Sequence, residues 1–260
     1  MYRLVLDMED VWFDSGGFML KGGLFVPGAA AERKLPGLVY CSGFPGDNKS
    51  SMKIAEALSG GDYVALWFDY SGIRDSEGEL DFVSQVDDLK AALDYLESRE
   101  EVGDKIAVIG HCYGGRAAVC AAAEDQRIKA VAVWDMVGDI RDQVETLGFR
   151  ITWKLYVALW VRNVRGIQGI YDKVKEAANK LNPIDYGGRI SPRPLLIIHR
   201  RKDLMVPIDH AYELERHARQ PKELILAEGR MHSDSDSFFS SGERKDGAIK
   251  LTLDWLKKNL

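Results

Sequence analysis

Cysteine is scarce in this chain. Its 260 residues hold three, Cys41, Cys112 and Cys120, with no CxxC pair and no His/Cys cluster at zinc spacing. That excludes a disulfide-stapled scaffold and a zinc site of the usual spacing. No apolar run approaches the ~18 residues that a membrane-crossing helix needs. The opening MYRLVLDMED carries acids where a signal peptide would place its apolar segment, so a cytosolic protein is expected. Positive charge is not in excess: 35 Lys and Arg against 40 Asp and Glu leave a formal charge of -5. Such a field does not draw in nucleic acid or an anionic membrane, and a small molecule is the expected partner, with the chain a monomer or a homodimer. Internal repeats and low-complexity tracts are also missing.

What is present is the material of a globular core, since 46% hydrophobic and 29% charged residues suit one soluble domain of this length. VWFDSGG and FMLKGGLFVPG read as an antiparallel pair. LVYCSG is too short for a helix and reads as a buried strand. A helix through SSMKIAEALSG follows and stops at the C-cap signal Gly60-Gly61. The alternation then repeats: strand YVALWFDY, loop SGIRDSEGE, helix from Asp81 to about Arg99, strand KIAVIG, helix from about Gly114, strand IKAVAVWDMV. Between residues 138 and 191 no strand is legible, and the segment reads as helices rich in Trp, Tyr and Phe. RPLLIIHRRKD, PIDHAYELERHAR, KELILAEGR and GAIKLTLDWLKKNL then restore strand, helix, strand, helix. The expectation is an α/β fold, a mostly parallel sheet of about eight strands with helices on both faces. Residues 1–137 and 192–260 form the core, and 138–191 are a helical cap or lid insert. Ligands of such a sheet bind at the carboxyl ends of its strands.

The stretch KIAVIGHCYGGRAAVCAAA places a thiol at the tip of a strand-to-helix turn. A turn that tight strains its apex residue and brings neighbouring backbone close, so glycine is required on either side. Gly110-His111-Cys112-Tyr113-Gly114 is therefore a nucleophile elbow, GxSxG with cysteine in the place of serine. A helix N-terminus stabilises both a thiolate and an adjacent oxyanion. The nucleophile needs a base and an orienting acid, in the chain order nucleophile, acid, His. His232 follows the strand ELILAEGR and is the candidate base. Asp203 follows LLIIHRRK and is the candidate acid, with Asp135 after the preceding strand as the competitor. His111, His199, His210 and His217 fit less well, being beside the apex, inside a strand or on a helix. Backbone N–H groups of Tyr113, next to the nucleophile, and of Phe44, in CSGFPG, are the candidate oxyanion hole.

These residues resemble the α/β hydrolases over nearly the whole chain, and specifically the branch of feruloyl and cinnamoyl esterases, monoacylglycerol lipases and serine aminopeptidase-like peptidases. SGFPGDNKS resembles that branch's HGFxG loop, FDYSGIRDSEGE its FDxRGxGxSxG loop, HRRKDLMVP its HGxxDxxVP stretch and GRMHSD its terminal histidine loop. The insert falls where the branch carries its cap. Three positions depart from the pattern: Ser42 replaces His, Arg200 replaces Gly and Cys112 replaces Ser. A Gly-x-Cys-x-Gly-Gly elbow resembles dienelactone hydrolases and bile-acid-CoA acyltransferases. The dienelactone branch, however, lacks a long cap and has a glutamate where this chain has Ser42-Gly43.

The expected function is cofactor-free and metal-free hydrolysis of carboxylic esters, lactones or thioesters through a covalent acyl-enzyme on Cys112. A thiolate leaves a tetrahedral intermediate more readily than an amine, which favours these substrates over amides. The alternatives are acyl transfer from a thioester such as acyl-CoA, and a non-catalytic binding protein on a hydrolase scaffold. The aromatics Trp153, Tyr156 and Trp160, with Phe149 and Tyr171, either line an acyl pocket or pack the cap on the core. Arg200-Arg201-Lys202 either steers an anionic group or is a solvated loop.

Overall fold

The structure is a computed structural model that describes residues 6–44, 46, 48–60, 62–141, 165–166, 169–228 and 247–260. The chain opens with β1 (Leu6–Ser15) and β2 (Phe18–Pro27), an antiparallel pair. Both turn residues, Gly16 and Gly17, have positive φ, the conformation that matches a two-residue hairpin to the twist of its strands. Asp14 accepts the Gly17 N–H at 3.1 Å and closes the turn. Next come β3 (Leu35–Cys41), α1 (Asn48–Ser59), β4 (Val64–Phe68), α2 (Gln85–Glu97), β5 (Val102–His111), α3 (Tyr113–Glu124) and β6 (Ile128–Trp134). In the expected cap, α4 (Ile170–Lys180) and the short α5 (Pro183–Tyr186) are helical, and the described residues of 138–191 include no strand. Then β7 (Leu195–Arg200), α6 (Asp209–His217), β8 (Lys222–Ala227) and α7 (Ala248–Asn259) complete the chain. Among the described residues, no helix is long and apolar enough to cross a membrane.

The eight strands form one sheet in the order β1-β2-β4-β3-β5-β6-β7-β8. β2 pairs antiparallel with β4, and every pairing from β4 to β8 is parallel. Parallel strands need crossovers, and these cover both faces with helices. Period-two alternation sends Val64, Leu66 and Phe68 of β4 into one apolar cluster with α2 and α3. Ala65 and Trp67 join the opposite cluster with α1 and α7. On α2 the buried Val86, Leu89, Ala92, Leu93 and Leu96 recur at three- and four-residue spacing, as a helix laid on a sheet requires.

One boundary differs usefully from the sequence reading. The second helix begins at Gln85 and not at Asp81, because the Asp81 carboxylate takes the Val83 N–H at 2.8 Å and closes a turn ahead of the helix. Phe82 is thereby left in a loop with its ring fully buried.

The parallel register brings the strand ends together. Cys41 lies beside Gly110, His111 beside Trp134, and Trp134 beside Ile198. The loops after β3, β5, β6 and β7 therefore meet at one edge. Leu38, fully buried at the centre of β3 between Ile54, Leu58 and Ala107 in the second cluster, tests the packing that holds this edge. Leu38→Ala is expected to lower the unfolding free energy by about 2–5 kcal/mol, read from the shift of the urea midpoint.

Candidate active site

Cys112 sits at the junction of β5 and α3 with φ +52° and ψ -119°. A side-chain-bearing residue held in that region stores about 1–3 kcal/mol of strain, which the surroundings must impose. They do so by close approach. A methyl group on Gly114 would lie 2.2 Å from the Cys41 carbonyl oxygen, and one on Gly110 would lie 2.5 Å from the Gly115 Cα. The Cys112 N–H is fixed by the Trp134 carbonyl at 3.0 Å, and its carbonyl receives the Gly115 N–H at 3.1 Å. The thiol residue is buried at 8% exposure and caps the N-terminus of α3, where the first backbone N–H groups have no carbonyl within the helix. Burial pushes the thiols of Cys41 and Cys120 up to about 12, so both stay protonated and inert at neutral pH.

The loop after β3 comes close to the thiol. A Cβ on Gly43 would stand 3.0 Å from the Cys112 Cβ. Phe44 and Tyr113, the two expected oxyanion residues, are both buried. Arg74 ties this loop to the one after β4: its guanidinium donates to the Gly46 carbonyl and, at 2.5 Å, to the Asp69 carboxylate. Burial raises Asp69 to about 6, against the opposing pull of the Arg74 charge and hydrogen bonds from Asn48 and Arg74, with Asp75 adding a small upward push.

Asp203 lies three residues beyond β7, half-buried, with its Oδ1 held by the N–H groups of Met205 at 2.7 Å and Val206 at 2.9 Å. The competitor, Asp135, has a different occupation. Almost wholly buried and at φ +42°, it accepts the Arg200 backbone N–H at 2.7 Å through Oδ1 and the Arg200 guanidinium through Oδ2. Arg200, where the family pattern has glycine, thus turns inward to pair with Asp135 and does not steer a ligand, whereas Arg201 and Lys202 are exposed.

His199 is fully buried, with Nε2 3.0 Å from the Val206 carbonyl. Asp135, His199 and Asp203 each place one polar atom within 4.8 Å of the others. His210 accepts the Asp139 N–H at 3.0 Å, and His217 is exposed at the end of α6. Neither approaches the role of base. His232, Trp153, Tyr156, Trp160 and Phe149 lie outside the described residues, while Tyr171 packs on the core.

Sequence reasoning missed two buried arginines. Arg200 had a signal, a charged residue at the end of an apolar strand where the pattern expects glycine. Arg116 had one too, as the single charge within the apolar stretch YGGRAAVCAAA.

Residues 75–147, which include Cys112 but neither Asp203 nor His232, match the Dienelactone hydrolase family. GrgF of Penicillium sp., a polyketide transferase, is 25% identical, with 100% of this chain and 99% of GrgF covered. Among solved structures, PA2218 of Pseudomonas aeruginosa superposes with a TM-score of 0.78 at 22% identity, over 98% of this chain and 94% of its own. Est1E of Butyrivibrio proteoclasticus, seen with ferulic acid bound, superposes at 0.74 and 22% identity, over 95% and 96%.

Two predictions follow from the buried charges. Arg200→Met leaves Asp135 buried without its cation and is expected to cost about 3–5 kcal/mol, most of it recovered in Arg200→Met/Asp135→Asn, as measured by urea unfolding. For Asp69 the folded value lies above the unfolded one. Its contribution to stability is therefore complete below the ordinary carboxylate range and lost as pH rises through about 6. Wild type should lose about 2 kcal/mol relative to Asp69→Asn between pH 4 and 7, read from paired urea titrations. By the order of its strands and the elbow that carries Cys112, the chain is an α/β hydrolase in fold.

Proposed function

We propose that the chain hydrolyses carboxylic esters, lactones or thioesters of small molecules with Cys112 as nucleophile. The observation that carries this reading is the backbone of Cys112, a thiol-bearing residue forced to φ +52° at the N-terminus of α3. No demand of packing requires a strained cysteine there, whereas an attacking group is presented by that geometry.

In the proposed cycle, Cys112 Sγ attacks the acyl carbonyl and forms a thioester while the ester C–O bond breaks. The N–H groups of Phe44 and Tyr113 hold the oxyanion. His232, oriented by Asp203, takes the thiol proton and gives it to the leaving alcohol, then takes a proton from the attacking water and returns it to the sulfur as the acid is released. Asp203 is preferred to Asp135 as the acid because Arg200 already engages both oxygens of Asp135. The cycle uses no cofactor or metal. Residues 138–191 are assigned as the cap, in which Trp153, Tyr156 and Trp160 line the acyl pocket, and the setting is cytosolic.

A second reading is acyl transfer, in which an alcohol or amine replaces water. It is favoured by the end-to-end match to GrgF, a polyketide transferase. The two share every step up to the acyl-enzyme, so the acceptor alone separates them.

The test is a stopped reaction with p-nitrophenyl acetate and butyrate, read by intact mass. Wild type should show an acyl adduct on Cys112 and turnover. Cys112→Ala should lose both, and Asp203→Asn should turn over at least 10²-fold more slowly. An added alcohol or amine that captures more acyl group than water does would select the transferase. No adduct and no release of p-nitrophenol with either ester would overturn the reading.

A further inference from the structure

Phe44 and Tyr113 reach the site from different strands, one just after β3 and the other just after β5. No local stretch of chain sets the distance between their N–H groups. The ring of Phe82 touches both. Phe82, fully buried, stands edge-on to Phe44 with ring centroids 5.4 Å apart at 71°, and tilted against Tyr113 at 5.3 Å and 49°.

Phe82 itself lies in the turn ahead of α2, where no helix or strand holds it. Two bonds do. Asp81 closes the turn through the Val83 N–H, and the guanidinium of Arg116 donates to the Phe82 carbonyl and, at 2.9 Å, to Gln85 Oε1. Arg116 projects from the first turns of α3, four residues beyond Cys112. The ring and its anchor thus join the nucleophile helix to the loop that carries the other oxyanion donor.

Arg116 is a costly anchor. It has no exposed surface, its two acceptors are neutral, and among the described residues no carboxylate pairs with it. Among the described residues its Nε and Nη1, both buried, find no acceptor. A buried cation in such a setting is harder to accommodate than an apolar side chain of similar volume, and such groups persist where they fix one geometry over others. Resting on the ester-hydrolase reading above, we infer that Phe82, held by Arg116, is the positioning residue that sets the separation of the two oxyanion donors.

The test compares two reactions of the same thiol. Acylation by p-nitrophenyl acetate passes through an oxyanion: Sγ bonds to the carbonyl carbon and p-nitrophenolate leaves. Alkylation by iodoacetamide is displacement at a tetrahedral carbon: Sγ bonds to carbon, iodide leaves, and no oxyanion forms. In both, the thiol proton passes to the base or to solvent. Rates at Cys112 are followed by intact mass with peptide mapping in wild type, Phe82→Ala, Phe82→Leu and Arg116→Met, with near-ultraviolet circular dichroism and Tm confirming the fold of each.

A donor displaced by about an ångström costs up to ~10²-fold, so acylation should fall roughly 10–100-fold in Phe82→Ala and Arg116→Met while alkylation stays within about twofold. Phe82→Leu, which fills more of the space and safeguards folding, should fall between. Acylation unchanged in all three variants overturns the inference. So does an equal fall in both reactions, because Phe82 would then act on the nucleophile or on the fold as a whole. A wild-type thiol that is alkylated but never acylated overturns the hydrolase reading, and the inference with it.

Discussion

The carboxyl edge of the sheet is organised around the strained backbone of Cys112, and that strain is sustained by the contact between three stretches of chain. Gly110 and Gly115 close on each other at the turn, while Gly114 presses on the last carbonyl of β3. Because β3 and β5 are paired in parallel with Cys41 beside Gly110, the pressure that holds the elbow also fixes where the next loop departs. The loop after β3 is thus placed by the same contact that strains Cys112. Its own closeness to the thiol, with room for no side chain at Gly43 without displacement, is a consequence of that pairing.

Much of this was legible in the residues. The alternation of apolar runs and amphipathic stretches gave the sheet and its helices, since period-two burial in β4 and three- and four-residue spacing in α2 follow directly from strand and helix geometry. The elbow was legible because glycine at 110 and 114 has a single steric reason to be there. The start of α2 was not, since apolar periodicity runs through Phe82 and the decisive event is one carboxylate, Asp81, taking a backbone N–H. Nor was the Asp135–Arg200 pair. Two charges at strand ends separated by 65 residues announce themselves only when the register of β6 and β7 is known. The positions of His232 and the cap aromatics are outside the described residues, so their assignment rests on order along the chain.

Buried charge is the second theme of this edge, and it is handled in three ways. Asp135 and Arg200 neutralise each other and bind the ends of two adjacent strands. Asp69 has a cation beside it, yet burial still dominates and lifts its carboxyl. Arg116 donates to neutral oxygens of Phe82 and Gln85. Water-excluded polar groups of this sort make a site rigid, because any alternative arrangement leaves a charge without its partner. They also make it intolerant: each removes the freedom of a loop that contributes to the site.

None of the contacts described around the Cys112 backbone, from the Trp134 carbonyl to the Gly114 approach, involves the sulfur atom. The backbone contacts that hold the turn therefore do not depend on whether the apex carries oxygen or sulfur. Serine and cysteine differ at this apex by one atom and are separated by a single nucleotide change, so a lineage can pass between oxygen and sulfur chemistry without rebuilding the turn. Where such an apex is acylated, what changes at that step is the lifetime of the acyl group, since a thioester is more open to attack by amines than an oxygen ester. An elbow held by glycine and backbone contacts is in this sense a mount on which an oxygen and a sulfur chemistry can differ by one side-chain atom.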